Sequence, residues 1–226
     1  MPGGRRRYRA RIVPRRHYKK AKGIWGAVKN VGGMAIKALS MLNSEEKHKD
    51  TVYSFTVQTN TADLTLLNGL IQGTTNVTRV GDDVRFSSLF LRLACSHNAV
   101  GNAAQYIRYV IFRDNQTNGA APAVANVLEN PTDFLSPLNL DYSRRFEILK
   151  DGVFCLTDQG SEAKYKKLYI DLKAKNKKHM HKTDYGLGNA GTVADISTGS
   201  YYMLTMADGA NGPSLGFTSR MRYIDN

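Results

Sequence analysis

The first 42 residues contain no aspartate and no glutamate, although the whole chain carries 19 of them. The same stretch holds 12 Lys+Arg, which leaves 20 basic against 19 acidic residues from Asn43 onward. Nearly all of the formal net charge of +13 therefore sits in the first fifth of the chain. A charge surplus that served solubility would be spread over the surface. A field this concentrated suits a polyanion.

Other scarcities narrow the class further. The only two cysteines, Cys95 and Cys155, are too few and too far apart for a disulfide scaffold or a zinc module. Both lie in apolar surroundings and are predicted to be buried, reduced thiols. No run of 18 apolar residues occurs, so no membrane-spanning helix is expected. The arginine-rich start lacks the apolar h-region and cleavage pattern of a secretory signal, so export by that route is not expected either. Absence of G-x-S-x-G, H-E-x-x-H, C-x-x-C and a phosphate-loop lysine leaves an enzyme without a recognisable constellation. No catalytic role, cofactor or metal is predicted.

What is present divides the chain in three. Residues 1–22 form a basic arm, with Arg5, Arg6, Arg7, Arg9, Arg11, Arg15, Arg16, Lys19, Lys20 and Lys22 as the candidate nucleic-acid-binding residues. The arm has too little apolar area to fold alone. Cationic side chains neutralise phosphates without reading bases, and the interspersed Tyr8 and Tyr18 offer rings for stacking. Residues 23–50 are read as an amphipathic helix and linker. Ile24, Trp25, Val28, Val31, Ala35, Leu39 and Leu42 recur near helical spacing, weakened by Gly26, Gly32 and Gly33, and Asn43 to Asp50 is polar. Residues 51–226 switch to a period of two, the mark of strands with one face on a core.

Eight strands are predicted in that body. They are Val52 to Val57, Val84 to Cys95, Tyr106 to Phe112 (apolar on both faces), Phe146 to Leu149, Val153 to Leu156, Leu168 to Leu172, Tyr202 to Met206, and Phe217 to Tyr223. Lys150-Asp151-Gly152 is read as the turn of a hairpin joining the fourth and fifth. The fold class is all-β, and a single eight-stranded jelly-roll sandwich is the expected architecture. In that arrangement Cys95 and Cys155 fall at opposite ends of one sheet, beyond disulfide reach. Two connections are long, Asn115 to Ser143, with a helical turn at Ala123 to Glu129, and Ala174 to Thr198. Loops of that length usually carry partner contacts.

Several segments of the body resemble, in order, the coat-protein domain of small circular single-stranded DNA viruses. They are Ile71-Gln72-Gly73, Arg79-Val80-Gly81-Asp82, the strand Leu89 to Leu93, Ile107-Arg108 to Val110-Ile111-Phe112-Arg113-Asp114, Asn118-Gly119 with Pro122, Arg145 to Asp151, and Ser219 to Asp225. Satellite-necrosis-virus coats are similar. The resemblance implies one jelly roll, about 60 copies in an icosahedral shell, a packaged single-stranded DNA genome, residence in the virion, and no catalysis. Two rival classes are a cellular nucleic-acid-binding β protein and a protein delivered by an Arg-rich transit peptide. A nearly neutral body argues against the first. The basic tract also fits a nuclear localisation signal, which would place the chain in the host nucleus during assembly.

Four further motifs have a functional and a bland reading. A second basic cluster runs from Lys164 to Lys182, with Lys173, Lys175, Lys177, Lys178 and Lys182 as a possible patch for nucleic acid or an anionic cell-surface polymer; part of it is a solvated strand face. Gly186-Leu187-Gly188-Asn189-Ala190-Gly191 matches G-x-G-x-x-G but lacks the flanking strand and helix a dinucleotide site needs, so a loop is expected. His179-Met180-His181 has no third ligand nearby. Asp82 and Asp83 fit an inter-subunit calcium site or, more simply, a turn. The cationic helix with Trp25 is expected to line the shell interior, and release to a host membrane during entry is its rival role.

Overall fold

The computed structural model describes residues 45–57, 60–97, 104–156, 163–172, 181–208 and 212–225. The basic arm and the predicted helix over 24–42 lie outside the described residues. In chain order the elements are β1 (Glu45–Thr56), β2 (Asp63–Leu66), β3 (Asp83–Ser96), β4 (Gln105–Asp114), a one-turn helix α1 (Val124–Val127), β5 (Phe146–Leu156), β6 (Ala163–Asp171), β7 (His181–Asp184), a 3-10 turn (Val193–Asp195), β8 (Ser200–Asp208) and β9 (Ser214–Asp225).

The strands form two antiparallel sheets. One runs β1-β9-β3-β6, with β7 also paired to β3, and the other runs β2-β8-β4-β5. The pairs β1:β9, β2:β8, β3:β6 and β4:β5 nest like the two arms of one long hairpin centred on the β4 to β5 connection. Cross-pairs β3:β9 and β4:β8 close each sheet. This is the jelly roll expected from the sequence. Leu89, Leu91, Leu93 and Cys95 of β3 and Leu215, Phe217, Met221 and Tyr223 of β9 face the second sheet and are buried there, as their alternation requires. A bulge between Phe86 and Ser88 shifts the phase by one, so that Val84 and Phe86 also point inward.

The apolar character of β4 on both faces has a specific cause. Ile107, Tyr109 and Ile111 join the core between the sheets. Val110 and Phe112 point the other way, into a second core with Tyr202, Leu204 and Met206 of β8. The long connection from Asn115 to Ser143 supplies the cover through Val127, Leu128 and Phe134. Fully burying each such side chain is worth about 1.5–3 kcal/mol, so this loop is a third layer of the domain. Arg108 pins it, donating from Nη1 to the carbonyls of Phe134 and Ser136 while Nε and Nη2 grip Asp151 at 3.1 and 2.7 Å. Arg145 closes its far end with two bonds to the buried Asp114, at 2.9 and 2.8 Å.

Four expectations need correction. Phe146 to Leu156 is one strand, and Asp151-Gly152 lies in its middle, opposite Val110 and Tyr109. Glycine stands there because the Tyr109 ring crosses it: a Cβ on Gly152 would sit 2.6 Å from Tyr109 Cζ. Residues 45–50, read as linker, are the first half of β1: Glu46 and Asp50 meet solvent, and Lys47 is buried against Asp225. Two short strands, β2 and β7, escaped the periodicity, which needs longer runs to register. Finally, Cys155 is exposed and lies in the sheet opposite to that of buried Cys95.

Candidate nucleic-acid interface

Loop 67–82 is tied to the chain terminus by buried charges. Lys47 of β1 donates to Asp225 of β9 at 3.1 Å, with both side chains almost wholly buried. The same carboxylate accepts the backbone N–H groups of Val80 and Gly81. Arg79, also buried, donates to the carbonyls of Leu70, Gly81 and Gly188 and to Asp82 at 2.7 Å, and its guanidinium lies 4.7 Å from the Tyr185 ring centroid. Burial pushes the Tyr185 hydroxyl well above its ordinary pKa. Arg79 thus joins two loops that the sequence separates by a hundred residues.

This network accounts for two motifs. In the G-x-G-x-x-G string, Gly188 gives its carbonyl to Arg79 and leaves no room for a Cβ beside Asp195. Gly191 adopts φ +80° against Ile71, a conformation only glycine takes without strain. The glycines serve loop packing. Of the acidic pair, Asp82 is held by Arg79 and Asp83 by Lys182 at 2.6 Å. Among the described residues no cluster of three or more His, Cys, Asp or Glu is placed to hold a metal.

The candidate arm residues Arg5 to Lys22 lie outside the described residues, as do Lys173, Lys175, Lys177 and Lys178 of the second patch. Lys182 is described, in β7, and its ammonium is engaged with Asp83. The strand lysines of that cluster divide between two directions. Lys166 turns toward the opposite sheet, 5.2 Å from the Tyr109 ring centroid and 5.5 Å from that of Phe154. Lys164 donates to the Cys155 carbonyl. Lys167 points outward.

Lys167 stands on the exposed face of the five-stranded sheet, directly across from Arg92 of β3. Phe90 pairs with Tyr169 one step away, and Ala94 with Tyr165 on the other side. Tyr165 is 56% and Tyr169 69% exposed, well beyond what a core ring shows. Arg92 lies 5.4 Å from the Phe90 ring centroid and Lys167 5.8 Å from that of Tyr165. Across β9, Arg220 grips Asp50 through two bonds of 2.7 and 2.6 Å, which hold the Asp50 carboxyl below its ordinary pKa. Arg222 lies 4.0 Å from Glu46. The alternation of the sequence had put Phe90 and Arg92, and Lys167 and Tyr169, on polar faces. Their juxtaposition depends on the β3:β6 register, which no local pattern encodes.

His181 of the two-histidine motif is described and sits in a polar node. Its Nδ1 is 3.1 Å from the Tyr201 hydroxyl and its Nε2 3.6 Å from Glu147, which also lies 3.8 Å from Arg113. Burial depresses the imidazole below its ordinary value, Glu147 opposes the shift, and Arg113 adds to it.

The chain was compared with known proteins. The family described as satellite tobacco necrosis virus coat protein matches residues 22–226. The capsid protein of Satellite tobacco necrosis virus 1 is 37% identical over 117 residues, covering 49% of this chain and 57% of that protein, little more than half its length. The coat protein of Satellite tobacco necrosis virus 2 is 25% identical over 209 residues, covering 87% of this chain and 95% of its own. A solved structure described as a 60-mer of the BFDV capsid protein superposes with a TM-score of 0.34 and 8% identity, over 80% of this chain and 92% of that one.

Proposed function

Because this chain belongs to the satellite tobacco necrosis virus coat protein family and is a structural protein of a virus shell, we propose that it self-assembles into a small icosahedral particle and packages single-stranded DNA through its basic arm. The observation that carries the packaging role is the separation of charge. Twelve basic and no acidic residues precede Asn43, while the body is nearly neutral. In a shell of about 60 copies, such arms bring roughly 700 positive charges to the lumen, enough to neutralise phosphates on that order by counterion release. Base readout has no part in that attraction, so any genome of suitable length is accommodated. The ten cations from Arg5 to Lys22 carry it, and residues 23–44 join them to the body at β1. The same basic tract serves as the nuclear localisation signal for assembly in the host nucleus.

Deletion of residues 2–22 tests this reading. The truncated chain is expected to form shells that lack nucleic acid, by the ratio of absorbance at 260 and 280 nm, and full-length particles are expected to release a cargo digested by DNase but not by RNase. Full-length packaging by the truncated chain would refute the arm's role. An RNase-sensitive cargo would leave the arm's role intact and replace DNA by RNA.

A further inference from the structure

Arg92 and Lys167 face each other across the β3:β6 ladder on the open side of the sheet. Like charges directly opposite each other destabilise a sheet. Counter-charge normally relieves such a pair, and at this one none adjoins it among the described residues. The positions that adjoin Arg92 on this face, along β3 and across both neighbouring strands, are Phe90, Ala94, Thr218, Lys167, and diagonally Gly216, Arg220, Tyr165 and Tyr169. None is a carboxylate. The nearest acid toward β1, Asp50, is already held by Arg220. Neither Arg92 nor Lys167 makes an ion pair among the described residues.

The rings around the two cations are arranged for use as well. Tyr165 and Tyr169 lie on the same face of β6, four residues or about 13 Å apart, both largely exposed. Phe90 stands opposite Tyr169, and between them and the side chains of Arg220 and Arg222 lies a solvent-open cavity of about 320 Å³. A single strand with unstacked bases supplies what this surface lacks, phosphate for the facing cations and flat rings for the exposed tyrosines.

The geometry points to the Arg92–Lys167 pair, with Tyr165, Tyr169 and Phe90, as a binding subsite for single-stranded nucleic acid on the folded body, distinct from the arm. It rests on the reading that the chain packages a genome, and it adds an ordered contact to the diffuse attraction of the arm. Phosphate sits between Arg92 and Lys167, and bases on either side of it, separated by at least one further nucleotide, stack on Tyr169 and Tyr165. The cations attract any sequence and the rings accept any base, in keeping with a genome-wide contact.

The full chain, photocrosslinked to a single-stranded oligonucleotide carrying 5-iodouracil, tests this, with the linked peptides mapped by mass spectrometry. Links within residues 163–171 as well as within the arm are expected. An Arg92→Gln, Lys167→Gln double variant should bind about tenfold more weakly, with its log K against log salt slope reduced by about 0.7, the share of the one phosphate the two cations hold on a single strand. Tyr165→Leu, Tyr169→Leu should lose the body links and leave the salt slope unchanged. Links confined to the arm in the wild-type chain would overturn the subsite and leave packaging by the arm standing. No links in either part would overturn both. If the Arg92/Lys167 variant bound normally but no longer assembled, the face would belong to a neighbouring copy of the chain and the subsite would be refuted.

Discussion

The carboxylate of Asp225, at the end of the last strand, sits 3.1 Å from the ammonium of Lys47 near the start of the first, and both side chains are buried. Breaking a buried pair by removing one partner costs about 3–5 kcal/mol. Asp225→Ala is therefore expected to destabilise the subunit by that order and to release the backbone N–H groups of Val80 and Gly81 that the carboxylate accepts. Hydrogen exchange at those two amides, with urea denaturation of dissociated subunits, reads both effects. Unchanged protection at Val80 and Gly81 would contradict the role given to Asp225.

Gly152 tests the continuous strand directly. A methyl group there meets the Tyr109 ring, and overpacking of this kind costs about 1–3 kcal/mol. Gly152→Ala should lower the denaturation midpoint by the equivalent amount, and Tyr109→Leu in the same background should recover part of it. A neutral Gly152→Ala would mean that the Tyr109 ring does not lie over position 152.

His181 links stability to pH with a definite sign. Its folded value is depressed below the ordinary 6.5, chiefly by burial, so the unfolded chain takes up the proton first. Stability is then complete above about pH 6.5 and declines as pH falls from there toward the depressed folded value. The groups facing the ring are Glu147, Arg113 and Tyr201. Melting temperatures of the wild type between pH 5 and 7.5 should show this decline, and His181→Asn should flatten it. A wild type that gained stability on acidification through that window would reverse the sign argued here.

The two thiols should react in sequence. Burial pushes Cys95 up to about 12, and thiolate is the reactive form. Cys155 is exposed. A thiol reagent at neutral pH is expected to label one cysteine per dissociated native subunit, Cys155, and two after denaturation. Rapid native labelling of Cys95 would mean that the β3 core position is not closed.

Lys167→Glu separates stability from binding. It converts a like-charged cross-strand pair with Arg92 into an attractive one, a gain of roughly 0.2–1 kcal/mol for the free subunit. The same change sets a carboxylate where phosphate is inferred to bind. Higher melting temperature with weaker oligonucleotide binding is the expected signature, and a drop in both would remove the like-charge argument.

By itself the sequence determined what local chemistry can carry. The run of cations without acids marks the arm, because a field is a sum over composition and needs no contacts. Alternation at Leu89 to Cys95 and Phe217 to Tyr223 marks strands with one buried face, because successive side chains on a strand point to opposite sides. An ordered set of short segments then carries the resemblance to a coat-protein family. Tertiary structure decided the rest. Asp151-Gly152 reads locally as a turn, yet β4 holds it extended: Arg108 claims the aspartate, and the Tyr109 ring occupies the space a larger residue would need. No local pattern marks Arg79 and Lys47 for burial, yet both are buried, because carbonyls and carboxylates from distant segments converge on them. Lys166 and Lys167 are neighbours in the chain but face opposite sides, and only the register with β3 sets Lys167 against Arg92. Pairing between strands some 75 residues apart is fixed by the shared core they close, and no period within either strand records it.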